Sequence, residues 1–408
     1  MNKMIYRFGE LFNIIDGDRG KNYPKDDDFF DDEYCLFLNA GNVTKEGWSF
    51  ENNSFITVEK DNQLRKGKVE RGNTVLTTRG TVGNAAYYGD RVKYEHMRIN
   101  SGMVILTPKD TNIVEDEFIY YLVISPIAKR TIELFCSGSA QPQLPIKDFI
   151  KIKYDLPDLD KQKEIVNILS TYDALIELNT KRIKTLEQMS ENLYKEWFVR
   201  FRFPGHENAE FENGIPKGWE YKTAADLSSV LQRGISPDYD DEGEYTVISQ
   251  KCIRTNIMDI RESRRQTKAF KPELNLQDAD TVICSTGTGT LGRVGRVIGS
   301  YPNTTFDSHV TLVRAKKNVS KQFLYGALKN TQTWFMNMGI GSTNQQELYI
   351  SVIRKTKLLV PTDNLMKEYE SIVKPIHDNI GILILDNDNL IKQRDLLLPR
   401  LMSGKLEV

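Results

Sequence analysis

The fold of this 408-residue chain is decided by a central run, Leu156 to Glu207, which reads LPDLDKQKEIVNILSTYDALIELNTKRIKTLEQMSENLYKEWFVRFRFPGHE. Apolar or helix-tolerant residues recur in it at intervals of three or four, which places them on one face of a long α-helix. This stripe consists of Ile165, Leu169, Tyr172, Leu175, Asn179, Ile183, Leu186, Met189, Leu193 and Trp197. A helix of about 40 residues is about 60 Å long. One small domain cannot bury that length, so the run predicts a partner helix.

The C-terminal run supplies the partner. Its stripe consists of Leu365, Tyr369, Ile372, Ile376, Ile380, Leu383, Asn387, Leu390, Arg394, Leu397 and Leu401. The asparagines Asn179 and Asn387 lie 208 residues apart, and a polar residue in an apolar seam fixes register at some cost in stability. We therefore predict an antiparallel coiled coil with these two asparagines as register residues; the alternative is that each faces solvent. Pro375 is expected to kink the second helix or to mark its start.

The two halves of the chain repeat each other. TVLTTRGTVGNAAYY (Thr74 to Tyr88) resembles TVICSTGTGTLGRVGRV (Thr281 to Val297), and GSAQPQL (Gly138 to Leu144) resembles GSTNQQEL (Gly341 to Leu348). The matching segments stay 203 to 209 residues apart and keep the same order. One match of this kind could be chance, but an ordered series at one spacing indicates a duplication of the whole unit.

These patterns predict an α+β protein with a pseudo-two-fold internal repeat, in which two mixed α/β globular domains are joined by two long antiparallel helices. The short β-type runs, broken by Gly, Asn and Pro, place the globular domains before each helix. The predicted boundaries are 1–156 for the first globular domain, 157–203 for the first helix, 204–360 for the second globular domain with a connecting linker at 204–218, and 361–408 for the second helix.

The composition excludes several classes of protein. Basic residues number 55 and acidic residues 56, which argues against a polycationic chromatin-type protein and against a disordered acidic tail. The four cysteines form no C-x-x-C pair, so neither a disulfide scaffold nor a structural zinc site is expected. No apolar run approaches the roughly 20 residues of a membrane span, and the N-terminal residues lack a signal-peptide core. We therefore expect a soluble cytoplasmic protein.

The charge distribution says more than the total. Residues 219–360 contain 19 basic and 14 acidic side chains, whereas residues 1–156 contain 21 and 23, six of the acids lying between Asp26 and Glu33. A mild positive excess is weak support for a phosphate-binding face.

A glycine-rich loop, Gly287 to Gly292, fits the G-x-G-x-x-G pattern of dinucleotide-binding proteins and follows a strand-like run. Such a loop must open a helix, but the residues that follow it, RVGRVIGS, are typical of a strand. The first half keeps only Gly80 and Gly83, so the shared element is predicted to be a tight G-T-[VL]-G turn between strands. The four histidines are isolated, and the sequence has neither a nucleophile elbow nor an N-P-P-[FY] motif, so no catalytic or metal-binding residue is predicted.

Polar loops at matching places in the two halves contain side chains suited to DNA. Asn and Gln make bidentate contacts to adenine in the major groove and Arg to guanine, while basic clusters contact phosphates. The candidates of the first half are Asn39, Asn42, Arg79, Thr81, Asn84, Arg98, Gln141 and Gln143. Those of the second half are Gln250, Arg254, Arg264, Arg265, Lys268, Thr290, Arg293, Asn344 and Gln346. Each could instead stabilise a turn, but their recurrence with different identities predicts two readers of two different short sequences.

At this point the chain resembles a known family. The central run Leu156 to Glu207 resembles the central conserved region of type I restriction-modification specificity (S) subunits. GIPKGWE (Gly214 to Glu220) is similar to the start of that family's second target-recognition domain, and LIKQRDLLLPRLMSGKLEV (Leu390 to Val408) is similar to its C-terminal conserved region.

The resemblance implies a non-catalytic subunit whose two domains read the halves of a bipartite site in double-stranded DNA, about one turn or 10 bp apart. It implies that the helices space the domains and dock two methyltransferase (M) subunits, and it leaves open two restriction/translocase (R) subunits. S-adenosylmethionine, ATP and Mg²⁺ would then be bound by these partners, which modify adenine-N6 and cleave DNA, and no cofactor would be bound directly by this chain.

Two other functions remain open from the residues alone. One is a coiled-coil scaffold that binds only proteins, which salt-dependent binding to duplex DNA would exclude. The other is a nucleotide-binding enzyme that uses the Gly287–Gly292 loop, which would be stabilised against heat by ATP or NAD.

Overall fold

The chain folds into two compact units, each built from sheets, short helices and part of two long helices. The computed structural model describes residues 4–136, 142–341 and 346–406. Unit 1 comprises Met1–Ile176 and Asp388–Val408, and unit 2 comprises Glu177–Asn387. The division falls inside the two long helices, so each of these helices contributes residues to both units.

The elements that begin in unit 1 are short strands, five small helices and the first long helix. The strands are β1 (Met4–Arg7), β2 (Phe12–Asp16), β3 (Cys35–Leu38), β4 (Val43–Thr44), β5 (Gly47–Trp48), β6 (Phe55–Ile56), β7 (Lys68–Val69), β8 (Thr74–Thr77), β9 (Ala85–Tyr87), β10 (Met97–Ile99), β11 (Met103–Pro108) and β12 (Lys153–Leu156). The helices are α1 (Phe8–Leu11), α2 (Val58–Gln63), α3 (Asp116–Ile124), α4 (Pro126–Phe135), α5 (Ile146–Phe149) and the long α6 (Leu159–Tyr194), which ends in a π-helical turn at Lys195–Val199.

Unit 2 repeats this order. Its strands are β13 (Phe211–Glu212), β14 (Ile215–Pro216), β15 (Glu220–Thr223), β16 (Ser228–Arg233), β17 (Tyr245–Ile248), β18 (Arg264–Gln266), β19 (Thr281–Cys284), β20 (Val294–Arg296), β21 (Thr304–Phe306), β22 (Val310–Ala315) and β23 (Lys357–Val360). Its helices are α7 (Ala224–Leu227), α8 (Lys321–Asn330), α9 (Gln332–Asn337), α10 (Ile350–Lys355) and the long α11 (Asp363–Met402).

The main sheet has the same topology in both units, whereas the second sheet has four strands in unit 1 and three in unit 2 among the described residues. A four-stranded antiparallel sheet has the order β2-β11-β8-β9 in unit 1 and β16-β22-β19-β20 in unit 2. A second sheet contains a parallel pair in each unit, β3 with β10 and β17 with β21. The predicted α+β class and the internal repeat are therefore confirmed.

The four-stranded sheet is buried on both faces in each unit. Along β8, Leu76 packs into a core with α3 and α6 while its neighbour Val75 faces a second core on the opposite side. Along β19, Ile283 and Val282 alternate in the same way. Because successive strand residues point to opposite faces, a strand buried on both sides reads as a continuous apolar run, as TVLT and TVIC do.

The first long helix begins where side chains satisfy its free backbone groups. Asp158 Oδ1 accepts a hydrogen bond from the backbone nitrogen of Lys161 at 3.0 Å, which caps the N-terminus of α6. The fully buried Gln162 donates from Nε2 to the carbonyl oxygens of Ile113 and Pro157, both at 2.9 Å, and accepts from the nitrogen of Glu115 at 2.9 Å. These bonds attach the start of the helix to the globular part of unit 1.

The two long helices run antiparallel, as predicted. In unit 1 Arg394 donates to Asp173 at 2.6 Å. In unit 2 Asn387 Nδ2 lies 3.3 Å from Thr180 Oγ1, and His377 Nε2 lies 2.9 Å from Ser190 Oγ. The residue numbers of each pair add to the same total, 567, which is the signature of one continuous antiparallel register.

Several details of the helix pair differ from the prediction. Helix α11 begins at Asp363 and continues through Pro375, so this proline does not mark its start. In the predicted stripes Leu175, Met189 and Ile372 are exposed, because a three-and-four spacing identifies one face of a helix but not which face meets the partner.

The two asparagines are not equivalent positions of the repeat. Strands β12 and β23, and also helices α6 and α11, begin 204 residues apart, not 208. Asn179 is buried, and Asn387 pairs with Thr180, the residue after Asn179. Their role in helix-pair register stays a prediction.

We predict that the pair Asp173–Arg394 stabilises unit 1. The two side chains are 18% and 13% exposed, and Tyr121 also donates to Asp173 at 2.7 Å. Removing one partner of a largely buried ion pair leaves the other charge uncompensated, so Arg394→Met should lower the free energy of unfolding by about 3 kcal/mol. Chemical denaturation measures this. Lys374→Met, which removes the exposed pair Lys374–Asp378 on the same helix, should leave the unfolding midpoint unchanged; equal losses would contradict the prediction.

A second prediction concerns pH. Burial, together with the charges of Asp173 and Asp116, outweighs Arg91 and raises the pKa of Glu117 to about 7. The folded protein therefore holds this proton more tightly than the unfolded chain, whose glutamate pKa is about 4.3, so stability falls as pH rises from about 4.5 to about 7. Glu117→Gln should flatten part of that decline in denaturation series across this range. Glu59→Gln, at an exposed glutamate whose pKa is lowered, should keep the decline, and a decline unchanged in Glu117→Gln would refute the assignment.

Candidate nucleic-acid interface

The repeated glycine motif forms a tight turn between two antiparallel strands in each unit. It joins β8 to β9 in unit 1 and β19 to β20 in unit 2. Gly80 and Gly83 have φ angles of 75° and 90°, and Gly289 and Gly292 have 76° and 74°. Glycine adopts this left-handed backbone without the penalty that a β-carbon causes. The turn is followed by a strand, which confirms the sequence interpretation and contradicts a dinucleotide-binding loop.

The glycine turn of unit 2 also packs closely against α9. A β-carbon on Gly292 would lie 2.5 Å from the backbone nitrogen of Met336. No larger residue fits there without displacing the helix, so the motif sets both the backbone conformation and the packing of the turn.

Each turn is tied to the loop that follows the first parallel strand, and the tie uses a predicted DNA-binding residue. In unit 1 Asn84 Nδ2 donates to the carbonyl oxygen of Val43 at 3.2 Å. In unit 2 Arg293 donates from Nη1 to the carbonyl oxygen of Arg254 and from Nη2 to that of Gly289, both at 2.8 Å. Asn84 and Arg293 are half-buried structural residues that hold two loops together.

A second segment runs beside each turn. In unit 1 Leu144 donates its backbone N–H to Thr78 at 3.0 Å, and Arg79 forms a β-bridge with Gln143. In unit 2 Leu348 donates to Ser285 at 2.8 Å, and Thr286 forms a β-bridge with Glu347. The described ends of the two repeated segments, Gln143–Leu144 and Glu347–Leu348, therefore lie beside the glycine turns.

Exposed polar side chains gather on these surfaces. In unit 1 Arg79, Thr81 and Gln143 are exposed on the turn and on the strand beside it. In unit 2 Gln346 is exposed beside the turn, and Gln250 approaches Gly287 so closely that a β-carbon there would lie 3.6 Å from Gln250 Cγ. Asn39 and Arg254 are exposed in the loops that Asn84 and Arg293 anchor. Gln141 and Asn344 lie outside the described residues.

Two further predicted DNA-binding residues, Asn42 and Thr290, also have structural roles. Asn42 is 1% exposed, and its amide nitrogen donates to the carbonyl oxygens of Ser49 at 3.0 Å and Asn52 at 3.2 Å. Thr290 donates its hydroxyl back to the carbonyl oxygen of Thr286 at 3.0 Å, which stabilises the glycine turn. Both side chains are small and polar enough to close a loop, and that local use occupies their hydrogen-bonding groups.

Arg98 is the clearest correction. It is 4% exposed and donates from Nε to Asp61 Oδ1 at 2.7 Å, while Nη1 donates to the carbonyl oxygen of Lys66 at 2.6 Å. Burial raises the pKa of Asp61, but the hydrogen bonds from Arg98 and Lys68 outweigh this and hold it below its usual value. The guanidinium of Arg98 therefore makes its hydrogen bonds inside unit 1 and is not accessible to DNA.

The predicted basic cluster of unit 2 lies on and just after the edge strand β18, and it is exposed. The guanidinium of Arg264 stacks on the ring of Tyr239 at 3.6 Å from the ring centre. Arg265 Nη1 donates to Thr246 Oγ1 at 3.3 Å, and Lys268 Nζ donates to the carbonyl oxygen of Ser236 at 2.8 Å. These contacts limit the motion of the three cations while leaving them in contact with solvent, which suits phosphate binding.

Two exposed residues were missed by the sequence reasoning. Thr288 lies at the tip of the glycine turn of unit 2, and Lys251 follows Gln250 in its loop. Their position beside predicted residues was the available signal. Next to Thr288, Thr286 Oγ1 lies 2.7 Å from His309 Nδ1, which fixes this side of the turn.

Neither a metal-binding cluster nor a membrane-spanning helix occurs in the part of the chain that the structure describes. Across residues 4–136, 142–341 and 346–406, no group of three or more His, Cys, Asp or Glu side chains is arranged to hold a metal ion. Within the same ranges no helix combines the length and apolar character needed to cross a bilayer.

Comparison with known proteins identifies what this architecture is similar to. The profile of the type I restriction modification DNA specificity domain matches the chain twice, over residues 2–188 and 216–388. The type I restriction enzyme MjaIX specificity subunit of Methanocaldococcus jannaschii is 25% identical over 350 residues, covering 83% of this chain and 78% of that one. The HindI specificity subunit of Haemophilus influenzae is 23% identical over 470 residues, covering 96% and 98%. The crystal structure of a type I restriction-modification S subunit from M. genitalium has the same fold, with a TM-score of 0.56, 15% identity and coverage of 98% and 96%.

The structure predicts that Arg98 and Arg79, which sequence patterns treat alike, differ in how much they contribute to stability. Arg98→Met leaves Asp61, whose side chain is 1% exposed, paired with the half-exposed Lys68 at 3.1 Å, and should lower the free energy of unfolding by about 2 kcal/mol. Arg79→Met removes an exposed side chain of the same unit and should leave stability within about 0.5 kcal/mol. Urea denaturation measures the free energy of unfolding of both variants. A larger loss in Arg79→Met than in Arg98→Met would show that Arg98 is not the structural residue.

Proposed function

The chain belongs to the family of type I restriction-modification DNA specificity proteins, and from this premise we propose that it selects a bipartite DNA site for a methyltransferase complex. One domain would read each half of the site in the major groove. The domain boundaries proposed for this are 1–156 and 204–360 for the two readers, with 157–203 and 361–408 as the helices between them.

The observation that supports this function best is the repeated exposed turn with its different side chains. Around the equivalent turns, unit 1 presents Arg79, Thr81 and Gln143, and unit 2 presents the exposed Gln346 and the half-buried Gln250. Arginine and amide side chains can make paired hydrogen bonds to guanine and adenine edges. Equal frames with unequal side chains suit two half-sites of different sequence.

The polar residues divide into readers and supports. We assign base or sugar contacts to the half-buried Gln250 and to the exposed loop residues, which are Asn39, Arg79, Thr81, Gln143, Arg254 and Gln346. Phosphate contacts are assigned to Arg264, Arg265 and Lys268, because a basic group on an edge strand fits the sequence-independent part of binding. Asn42, Asn84, Arg98, Thr290 and Arg293 are supports.

The partners follow from the family. We propose that the long helices α6 and α11 dock two methyltransferase subunits, and that two restriction/translocase subunits can join them. S-adenosylmethionine, ATP and Mg²⁺ would be bound by these subunits, and this chain would contribute no catalytic group. Adenine methylation needs the base outside the helix, so the readers would also have to hold a duplex from which a partner extracts the target adenine.

The experiment is a domain exchange in the intact complex. Residues 1–156 are replaced by the corresponding domain of a relative, and methylated adenines are mapped across the genome before and after. We expect one half of the recognition site to change and the other half to stay, because each reader acts on its own half. Exchange of residues 204–360 is the matched control and should change only the opposite half.

Changes in both halves after either exchange would refute two independent readers. Binding to duplex DNA is measured in parallel as a function of salt, since release of counterions from phosphates makes the affinity fall as salt rises. Co-purification of partner subunits without any salt-dependent DNA binding would favour the protein-only scaffold instead.

A further inference from the structure

Unit 2 contains a small cavity where α6, α8 and α11 meet strand β20. Its volume is about 30 Å³, and its lining includes Ser190, Arg296, Tyr325 and His377. A space of this size has room for about one or two water-sized occupants. The hydrogen-bond donors and charges of the lining determine which occupant it favours.

Arg296 is a buried cation without a carboxylate partner. It is 4% exposed, and none of the ion pairs among the described residues includes it. Its Nε and Nη1 atoms have no hydrogen-bond partner in the described part of the chain. Nη2 reaches the side-chain oxygen of Gln322 at 3.3 Å, in the amide orientation that also lets Gln322 donate to Glu370 at 3.0 Å. Two N–H donors of a guanidinium, which keeps its charge when buried, therefore lack an acceptor.

The same place in unit 1 is balanced. At the offset of 204 residues that relates β12 to β23 and α6 to α11, Tyr121 corresponds to Tyr325, Asp173 to His377, and Arg394 to Ser190. In unit 1 Arg394 donates to Asp173 at 2.6 Å and Tyr121 donates to it at 2.7 Å. The largely buried carboxylate of Asp173 there meets the guanidinium of Arg394, which also pairs with the exposed Asp395 at 2.9 Å.

Unit 2 has lost both members of that ion pair and has gained a different cation. Ser190 Oγ lies 2.9 Å from His377 Nε2, and His377 Nδ1 has no partner in the described residues. Burial, with the nearby Arg296, lowers the pKa of His377 to about 3, so the imidazole is neutral. Ser190 is smaller than Arg394, so it leaves free the space that this arginine fills in unit 1. Strand β20 places Arg296 beside that space.

Three other charged groups of the lining, Glu191, Lys195 and Lys329, form hydrogen bonds of their own. Glu191 accepts from Lys195 at 2.6 Å, and Lys329 donates to Gln332 at 2.7 Å. Oε1 of Glu187 is buried without a hydrogen-bond partner in the described residues, and burial raises the pKa of this carboxyl. Three cations and two carboxylates line the cavity, with the uncompensated charge at Arg296.

We propose that this cavity binds one small monovalent anion of chloride size. Its donors are Arg296 Nε and Nη1 together with Nδ1–H of the neutral His377, whose Nε2 then accepts from the hydroxyl of Ser190. The anion supplies the negative charge that Asp173 supplies in unit 1. Because β20 directly follows the glycine turn of the candidate interface, the anion stabilises the base of that turn against α6 and α11.

The experiment compares the full chain in sodium chloride and in sodium gluconate at equal ionic strength. Gluconate is too large for the cavity, so thermal unfolding should occur at a higher temperature in chloride, with a saturable dependence on chloride concentration. Arg296→Met should abolish the difference between the two salts. Arg261→Met removes an exposed arginine of the same unit and should keep it.

A second variant keeps the test decisive if Arg296→Met does not fold. His377→Asp restores the carboxylate found in unit 1, so it should make stability independent of chloride while preserving the fold. Crystals grown in bromide should show an anomalous peak beside Arg296. Equal unfolding temperatures in both salts, chloride dependence retained in both cavity variants, or density there without anomalous signal would overturn the proposal in favour of water.

Discussion

The antiparallel pairing of α6 and α11 is the constraint on which the rest of the structure depends. Arg394–Asp173 in unit 1 and His377–Ser190 in unit 2 obey one register. A slip of one helical turn would break both contacts together. Because Leu175 and Met189 of the apolar stripe are exposed, the register depends on directional polar pairs rather than on a continuous apolar seam. Such pairs stabilise one alignment at the cost of desolvating their polar groups.

The glycine turns show how the repeat preserves geometry while its chemistry changes. Asn84 and Arg293 differ in size and charge, yet each donates to a backbone carbonyl of the neighbouring loop. A carbonyl acceptor is present whatever the side chain of the accepting residue is. The tie between the two loops therefore survives changes in the residues that the loops expose.

The fold could be predicted from the sequence because its evidence is periodic and repeated. The helix stripes and the G-T-[VL]-G turns are each visible within a short window. The role of Arg98 could not be predicted from the sequence, because its partner Asp61 lies 37 residues away on another element. In addition, an arginine that can bind guanine can equally bind a buried carboxylate. Exposed Arg79 and buried Arg98 differ only in tertiary context. Asn179 and Asn387 lie 208 residues apart, whereas the two long helices begin 204 residues apart, so the sequence match alone did not give the offset of the helices.

The division between supporting and exposed polar residues has a consequence for how such a surface can change. Supports such as Asn42 and Arg293 donate hydrogen bonds to backbone carbonyls. Replacing either one leaves a buried polar group without a partner, which lowers stability. Exposed residues such as Gln143 and Gln346 carry no comparable buried bond, and their replacement leaves the turn intact. A surface built in this way can acquire new base contacts without loss of stability. The conformation of the turn is set by its glycines, so it does not depend on the side chains that face outward.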